Sequence, residues 1–108
     1  MSDPRHPGIV FVTGGMSGLG RALAAVYVQR GAHLAIVDLV VDEVALQELR
    51  AHKQTPGQLI EAYQASVTDN DALQTAVQQA VAAVGQPALA INCAGIQRAQ
   101  PFEQLPAD

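Results

Sequence analysis

The chain has 108 residues, of which 49% are hydrophobic and 15% charged, and its formal net charge is −4 at pH 7. This length predicts a single domain, and the apolar fraction is typical of a globular protein rather than a disordered one. The excess of acidic residues argues against a nucleic-acid partner, and no apolar run approaches the roughly 18 residues of a membrane span. Because the amino terminus also lacks the features of a secretory signal, we expect a cytoplasmic protein without nucleic-acid or membrane partners.

The cysteine and histidine content argues against disulfides and metal sites. The single cysteine, Cys93, excludes an internal disulfide and fits a reducing compartment. The histidines at positions 6, 33 and 52 have no metal-ligand spacing to one another or to Cys93. The sequence therefore predicts no bound metal.

Along the chain, short β-branched apolar runs alternate with longer stretches that have apolar residues at helical spacing. The runs predict strands at 8–13, 33–38, 59–65 and 88–92, and the stretches predict helices at 18–30 and 42–52 and from a capping box at 68–71 to residue 84. The polar segment 97–108 is predicted to be a loop. Parallel pairing through right-handed crossovers follows, because each pair of successive strands is separated by a helix, and the fold class is α/β.

Each predicted helix has an apolar face that we expect to be buried. The faces consist of Leu19, Leu23, Val26 and Tyr27 in the first helix, Val41, Val44, Ala45 and Leu49 in the second, and Leu73, Val77, Ala80, Val81 and Val84 in the third.

The first predicted strand leads directly into a glycine-rich turn, Thr13-Gly14-Gly15-Met16-Ser17-Gly18-Leu19-Gly20, where a helix begins. Glycine permits a tight turn and close approach of the backbone to a pyrophosphate, and the helix N-terminus offers unpaired N–H donors. This arrangement favours a nucleotide site over a glycine-rich turn without a ligand. A P-loop is disfavoured because Arg21 and Ala22 follow the last glycine, where that motif has Lys and Ser or Thr.

The spacing Thr-Gly-x-x-x-Gly-x-Gly resembles the fingerprint of the short-chain dehydrogenases/reductases. Asp38 ends the second predicted strand, where an acidic side chain can accept hydrogen bonds from ribose hydroxyls. The segment 92–95, Asn-Cys-Ala-Gly, is similar to the family's Asn-Asn-Ala-Gly, and the segment 66–69, Ser-Val-Thr-Asp, is similar to its Asp-Val-Thr-Asp. Each motif follows a predicted strand, in the order that the family has.

This resemblance implies a Rossmann-type doubly wound parallel sheet with strand order 3-2-1-4, and it implies a binding role for residues at matching positions. The glycine turn would follow the pyrophosphate and the adenosine ribose, segment 66–67 the adenine, and segment 92–96 the nicotinamide-side ribose. The implied cofactor-binding residues are Gly14, Met16, Ser17, Gly18, Leu19, Gly20, Asp38, Leu39, Ser66, Val67, Asn92, Ala94, Gly95 and Ile96. Two of the motif positions depart from the family, because Ser66 replaces an Asp and Cys93 replaces an Asn. A buried small side chain is the expected role of Cys93.

Charge favours NAD over NADP as the cofactor. Asp38 would repel a 2′-phosphate. NADP-dependent members of the family usually have Arg or Lys near the glycine turn or just after the second strand, and these positions hold Met16, Ser17, Leu39 and Val40 here. The alternative role for Asp38, as the cap of the second helix, is better filled by Asp42.

The catalytic residues implied by the resemblance are absent from these 108 residues. The family uses a Tyr-x-x-x-Lys pair for proton transfer, whereas the only lysine, Lys53, has Leu49 four residues before it. We therefore expect residues 1–108 to be an incomplete dinucleotide-binding domain, inactive alone, from an NAD-dependent enzyme that acts on a small-molecule alcohol or carbonyl and forms a homo-oligomer. The alternatives are a non-catalytic nucleotide-binding or interaction module and, ranked lower, an S-adenosylmethionine methyltransferase.

Overall fold

The computed structural model describes residues 8–16, 18–66 and 68–93. Within them, strands and helices alternate as the sequence predicts: β1 (Ile9–Thr13), α1 (Gly18–Gln29), β2 (His33–Asp38), α2 (Glu43–Arg50), β3 (Ile60–Gln64), α3 (Asn70–Val84) and β4 (Leu89–Asn92). All pairs of adjacent strands are parallel, and the strand order is β3-β2-β1-β4. The predicted Rossmann-type fold class and strand order are confirmed.

Alternating side chains of the two central strands form the two faces of the sheet. On one face, Val10 and Val12 of β1 lie in the main core cluster with residues of α1 and α2. On the other face, Phe11 packs with Ala80 and Val84 of α3. This two-sided burial explains why the first two strands are continuously apolar rather than alternating. It also gives three layers, with helices on both sides of the sheet.

The buried face of each helix combines glycine or alanine with one or two larger apolar residues. The fully or nearly buried helix residues are Gly20, Ala24 and Val28 in α1, Ala45, Leu46 and Leu49 in α2, and Ala76, Ala80 and Val84 in α3. The prediction was wrong for Leu19 and Val26 of α1, Val44 of α2 and Val77 of α3, whose exposed fractions range from 36% to 69%. Which helix residues are buried is therefore decided by how each one fits against the branched side chains of the strands, and not by its hydrophobicity alone.

Carboxylates cap both α2 and α3. Asp42 accepts hydrogen bonds from the N–H groups of Val44 and Ala45, as expected for the cap of α2. The cap of α3 is Asp69, which accepts from Ala72 N–H at 3.1 Å. The predicted capping box at 68–71 was therefore wrong by one residue, because the Asp69 carboxylate reaches the third helical N–H and carries the charge that the helix N-terminus favours.

A buried glutamine joins three parts of the fold. Gln58 is 2% exposed, and its amide nitrogen donates to the carbonyls of Val28, at 2.9 Å, and Ala32, at 2.7 Å. Its amide oxygen accepts from Gln54 N–H at 2.7 Å. These bonds connect the end of α1 and the residue before β2 to the loop that precedes β3.

No helix in the described part of the chain is long and apolar enough to cross a membrane.

Candidate nucleotide-binding site

The predicted site residues meet where β1, β2 and β4 end. In a parallel sheet, the carboxyl ends of neighbouring strands lie at the same edge, which is where ligands bind in open α/β sheets. The register pairs Thr13 with Val37 and with Asn92, so that the glycine turn, the end of β2 and the end of β4 are neighbours. Asp38 is the last residue of β2 and lies directly beside this turn.

The glycine turn lies flat on the sheet edge for two physical reasons. Gly14 has φ +74°, which a side chain disfavours, and its N–H donates to the Val37 carbonyl at 2.8 Å. At Gly15, an added Cβ would lie only 2.8 Å from Cγ2 of the buried Ile36. Glycine at these two positions therefore lets the backbone cross closely over β2 before α1 begins at Gly18.

Both carboxylate oxygens of Asp38 are held by backbone donors. Met16 N–H donates to Oδ2 at 3.0 Å, and Leu39 N–H donates to Oδ1 at 2.7 Å. Asp38 is half-buried, and each of its oxygens keeps a second lone pair for another donor. The carboxylate is thus fixed in place and can accept from two hydroxyl groups. Since Asp42 caps α2, the alternative capping role for Asp38 was wrong.

Met16 contributes to this site differently from what the sequence suggests. Its backbone forms the turn, but its side chain is only 5% exposed and lies in the core cluster shared by α1 and α2. Its sulfur accepts a hydrogen bond from Asp42 N–H at 3.3 Å. No local sequence signal indicates this contact, since the two residues are brought together only by the β1–β2 pairing.

A side-chain bond joins the ends of β1 and β4. The Thr13 hydroxyl donates to Asn92 Oδ1 at 2.7 Å, and the N–H of Cys93, the residue after β4, donates to the Thr13 carbonyl at 2.9 Å. The Cys93 side chain is fully buried, as expected for a small packing residue. Thr13 belongs to the glycine motif, but its bond to Asn92 is not evident from the sequence.

The segment after β3 also lies beside Asp38. Ala65 N–H donates to the Asp38 carbonyl at 2.9 Å, and the next residue, Ser66, accepts from Thr68 N–H at 3.2 Å. Its hydroxyl is also 2.7 Å from the Thr68 hydroxyl. Ser66 is half-buried, and its bonds to Thr68 hold it in a local turn at the same edge of the sheet.

The remaining predicted site residues have different environments. Gly20 is buried, whereas Gly18, Leu19 and Leu39 are exposed. Ser17, Val67, Ala94, Gly95 and Ile96 lie outside the described residues.

The charged groups around the turn are mostly acidic. Asp38 and Asp42 lie at the two ends of the loop between β2 and α2, and Arg21 in the first turn of α1 forms an ion pair with Glu48 of α2. Among residues 8–16, 18–66 and 68–93, no group of three His, Cys, Asp or Glu side chains is arranged to hold a metal. The site is thus suited to the neutral, hydroxyl-bearing part of a nucleotide at Asp38.

Comparison with known proteins agrees with this fold. Residues 8–108 match the family of short chain dehydrogenases. The chain is 32% identical over 100 residues to the probable oxidoreductase EphD of Mycobacterium tuberculosis. The aligned region covers 93% of this chain and 17% of that protein. It is 38% identical over 104 residues to a 3-ketodihydrosphingosine reductase of Cryptococcus neoformans, covering 93% of this chain and 30% of that protein.

A solved structure also shows the likeness to short-chain dehydrogenases. A short-chain type dehydrogenase/reductase from Mycobacterium ulcerans superposes with a TM-score of 0.74 at 34% identity, covering 83% of this chain and 33% of that one. The chain therefore belongs to the short-chain dehydrogenase/reductase family. It spans a third or less of the length of these relatives.

Proposed function

We propose that this chain is the cofactor-binding part of an oxidoreductase that transfers hydride between NAD(H) and a small-molecule alcohol or carbonyl compound. The observation that carries the proposal is the Asp38 carboxylate, which Met16 N–H and Leu39 N–H hold beside the glycine turn. Family membership supports the reaction class, because the relatives are named as oxidoreductases, reductases and dehydrogenases. It also favours this reaction class over methyl transfer.

In this proposal, each motif at the sheet edge contacts a different part of the dinucleotide. The turn at 14–20 lies along the pyrophosphate, and the N-terminus of α1 donates backbone N–H groups to it. Asp38 accepts from the hydroxyls of the adenosine ribose, with Leu39 beside it. Segment 66–67 lies along the adenine, and segment 92–96 lies along the nicotinamide-side ribose. The bound NAD supplies the hydride acceptor, and the protein orients it.

The proposed preference for NAD over NADP follows from the charges near Asp38. A 2′-phosphate would bring a second negative group against a carboxylate that two N–H donors hold in place. The loop after β2 offers exposed Leu39 and Val40 instead of cations. Arg21 is paired with Glu48 on the side of α1 that faces α2. These features support a cofactor without the extra phosphate.

The catalytic groups are proposed to lie outside these 108 residues. No Tyr-x-x-x-Lys occurs in the sequence, and Tyr27 and Tyr63 lie on α1 and β3, away from the end of β4. The parent enzyme is proposed to be cytoplasmic and homo-oligomeric. The single buried cysteine supports a reducing location. A non-catalytic binding module is the second candidate, favoured by the same missing pair, and an intact-mass measurement of the natural product distinguishes the two.

The proposal is tested by titrating the protein with NADH and NADPH and following the fluorescence of the nicotinamide. We expect NADH to bind at least about tenfold more tightly, which corresponds to about 1.4 kcal/mol. The double substitution Asp38→Ala with Leu39→Arg should narrow or reverse this preference, because it removes the repelling carboxylate and adds a cation. Glu61→Gln is the matched control, since it neutralises a carboxylate near the amino end of β3, away from the proposed site, where it pairs with Arg50. Equal or tighter binding of NADPH to the unchanged protein would contradict the proposal.

A further inference from the structure

We propose that Met16 is a positioning residue for cofactor choice, because its sulfur and its N–H group together tie the glycine turn, the Asp38 carboxylate and the start of α2 into one unit. This inference rests on the proposed function and adds to it a residue that sets the discrimination between a ribose 2′-hydroxyl and a 2′-phosphate. Met16 touches the carboxylate through its backbone, and its side chain acts through the α2 junction.

The contacts of Met16 enclose the loop between β2 and α2 at both ends. At the first end, Met16 N–H donates to Asp38 Oδ2 at 3.0 Å. At the second end, Asp42 N–H donates to the Met16 sulfur at 3.3 Å, and the Asp42 carboxylate caps α2. A single residue of the glycine turn therefore fixes both the residue that ends β2 and the residue that begins α2.

The burial of Met16 makes this junction rigid. Its side chain is only 5% exposed and belongs to the core cluster that includes Ala45 and Leu46 of α2. Of the loop residues between the two contacts, Leu39 and Val40 are more than 60% exposed, whereas Val41 is partly buried and packs against the same core cluster as Met16. The backbone of Asp38 is held by its pairing with β3, and the orientation of its carboxylate depends on the N–H groups of Met16 and Leu39. The Met16 sulfur, together with Val41, holds the start of α2 against the core.

This arrangement has a direct consequence for specificity. A carboxylate that is held by two N–H groups cannot turn away when a 2′-phosphate approaches, so the repulsion is retained at full strength. The same fixed carboxylate accepts from the ribose hydroxyls without first having to be ordered, which favours NADH binding. Loosening Met16 should therefore weaken NADH binding and relieve the repulsion of NADPH.

The test removes the Met16 sulfur alone, because it is the one atom of this apolar side chain that can accept a hydrogen bond, although a thioether is a weak acceptor. Met16→Leu keeps the side-chain volume within the core and leaves Asp42 N–H without its acceptor. Such volume-conserving exchanges are usually tolerated, so this variant is expected to fold. Leu49→Ala is the control for a general loss of packing, since Leu49 lies in the same core cluster and contacts neither Asp38 nor Asp42 through any of these hydrogen bonds.

The experiment measures the dissociation constants of NADH and NADPH for the unchanged protein, Met16→Leu and Leu49→Ala, together with amide hydrogen exchange at Asp42 without cofactor. For Met16→Leu, we expect the ratio of the NADPH constant to the NADH constant to fall about twofold, the effect of losing one weak hydrogen bond. We also expect faster exchange of the Asp42 amide. Leu49→Ala should lower the melting temperature and leave the ratio unchanged.

An unchanged ratio in Met16→Leu, or an equal fall of the ratio in Leu49→Ala, would overturn the inference and reduce Met16 to a core-filling residue. Unchanged exchange at Asp42 would also overturn it, because the sulfur would then not be holding α2. Failure of the proposed function is a separate result, since it is detected as a lack of NADH preference in the unchanged protein.

Discussion

The substitution Gly15→Ala tests how closely the glycine turn lies on the sheet. The added Cβ would lie 2.8 Å and 3.1 Å from Cγ2 and Cγ1 of Ile36 and 3.3 Å from Cγ1 of Val12. Carbon atoms in optimal contact are separated by about 3.5–4.0 Å, and both neighbours are fully buried branched side chains. The turn must therefore rise by several tenths of an ångström, and we expect a loss of about 1–3 kcal/mol in the free energy of unfolding, as for other overpacked cores.

Gly57→Ala is the matched control for this substitution. Nothing lies within 4 Å of an added Cβ at Gly57, and its φ is not in the left-handed region. Alanine there should stabilise the protein by up to about 1 kcal/mol, because it reduces the freedom of the unfolded chain. Urea unfolding followed by circular dichroism measures both variants. If Gly15→Ala were as stable as Gly57→Ala, the close approach of the turn to Ile36 would be refuted.

Three further predictions concern other parts of the chain. Gln58→Leu should lower the free energy of unfolding by about 1–3 kcal/mol, because the buried carbonyls of Val28 and Ala32 lose their donor. An unchanged free energy of unfolding, measured by urea unfolding, would show that water replaces the amide. Burial, and secondarily the Glu61 carboxylate, raises the pKa of the Tyr63 phenol. The folded protein then binds that proton more tightly than the unfolded chain, so the stability contributed by Tyr63 should be lost as the pH rises above about 10. Tyr63→Phe should remove this loss, with Tyr27→Phe as the control. Finally, the 108-residue chain should form no NADH from NAD and any alcohol, and reproducible turnover by chain of verified mass would contradict the assignment of its catalytic residues to the rest of the parent enzyme.

The features that the sequence predicts correctly have local signals. A continuous β-branched run such as 9–13 fits a strand buried on both sides. A strand followed by closely spaced glycines fits a tight turn that leads into a helix. Asp42 could be predicted as a cap because the cap and the N–H groups that it binds lie within three residues. The strand order was predicted from the family resemblance together with the alternation of strands and helices.

The features that the sequence does not predict depend on distant partners. The buried side of α2 includes Leu46 and excludes Val44, because the surface of the sheet, rather than the periodicity of the helix, selects which residues fit. The contact from Asp42 to Met16 and those from Gln58 to Val28 and Ala32 join residues 26 to 30 positions apart. Such contacts can be seen only when the strands are paired.

The most direct test of the central claim is to map the contact of NADH on the chain by the amide chemical shifts of the isotopically labelled protein. We expect the shifts to be largest at the carboxyl edge of the sheet, at Gly14, Met16, Leu39 and Asn92, and to be small at Gly57 and along the outer face of α3. Saturable shifts confined to residues away from this edge, or no shift at Met16 and Leu39 at saturating NADH, would contradict the account.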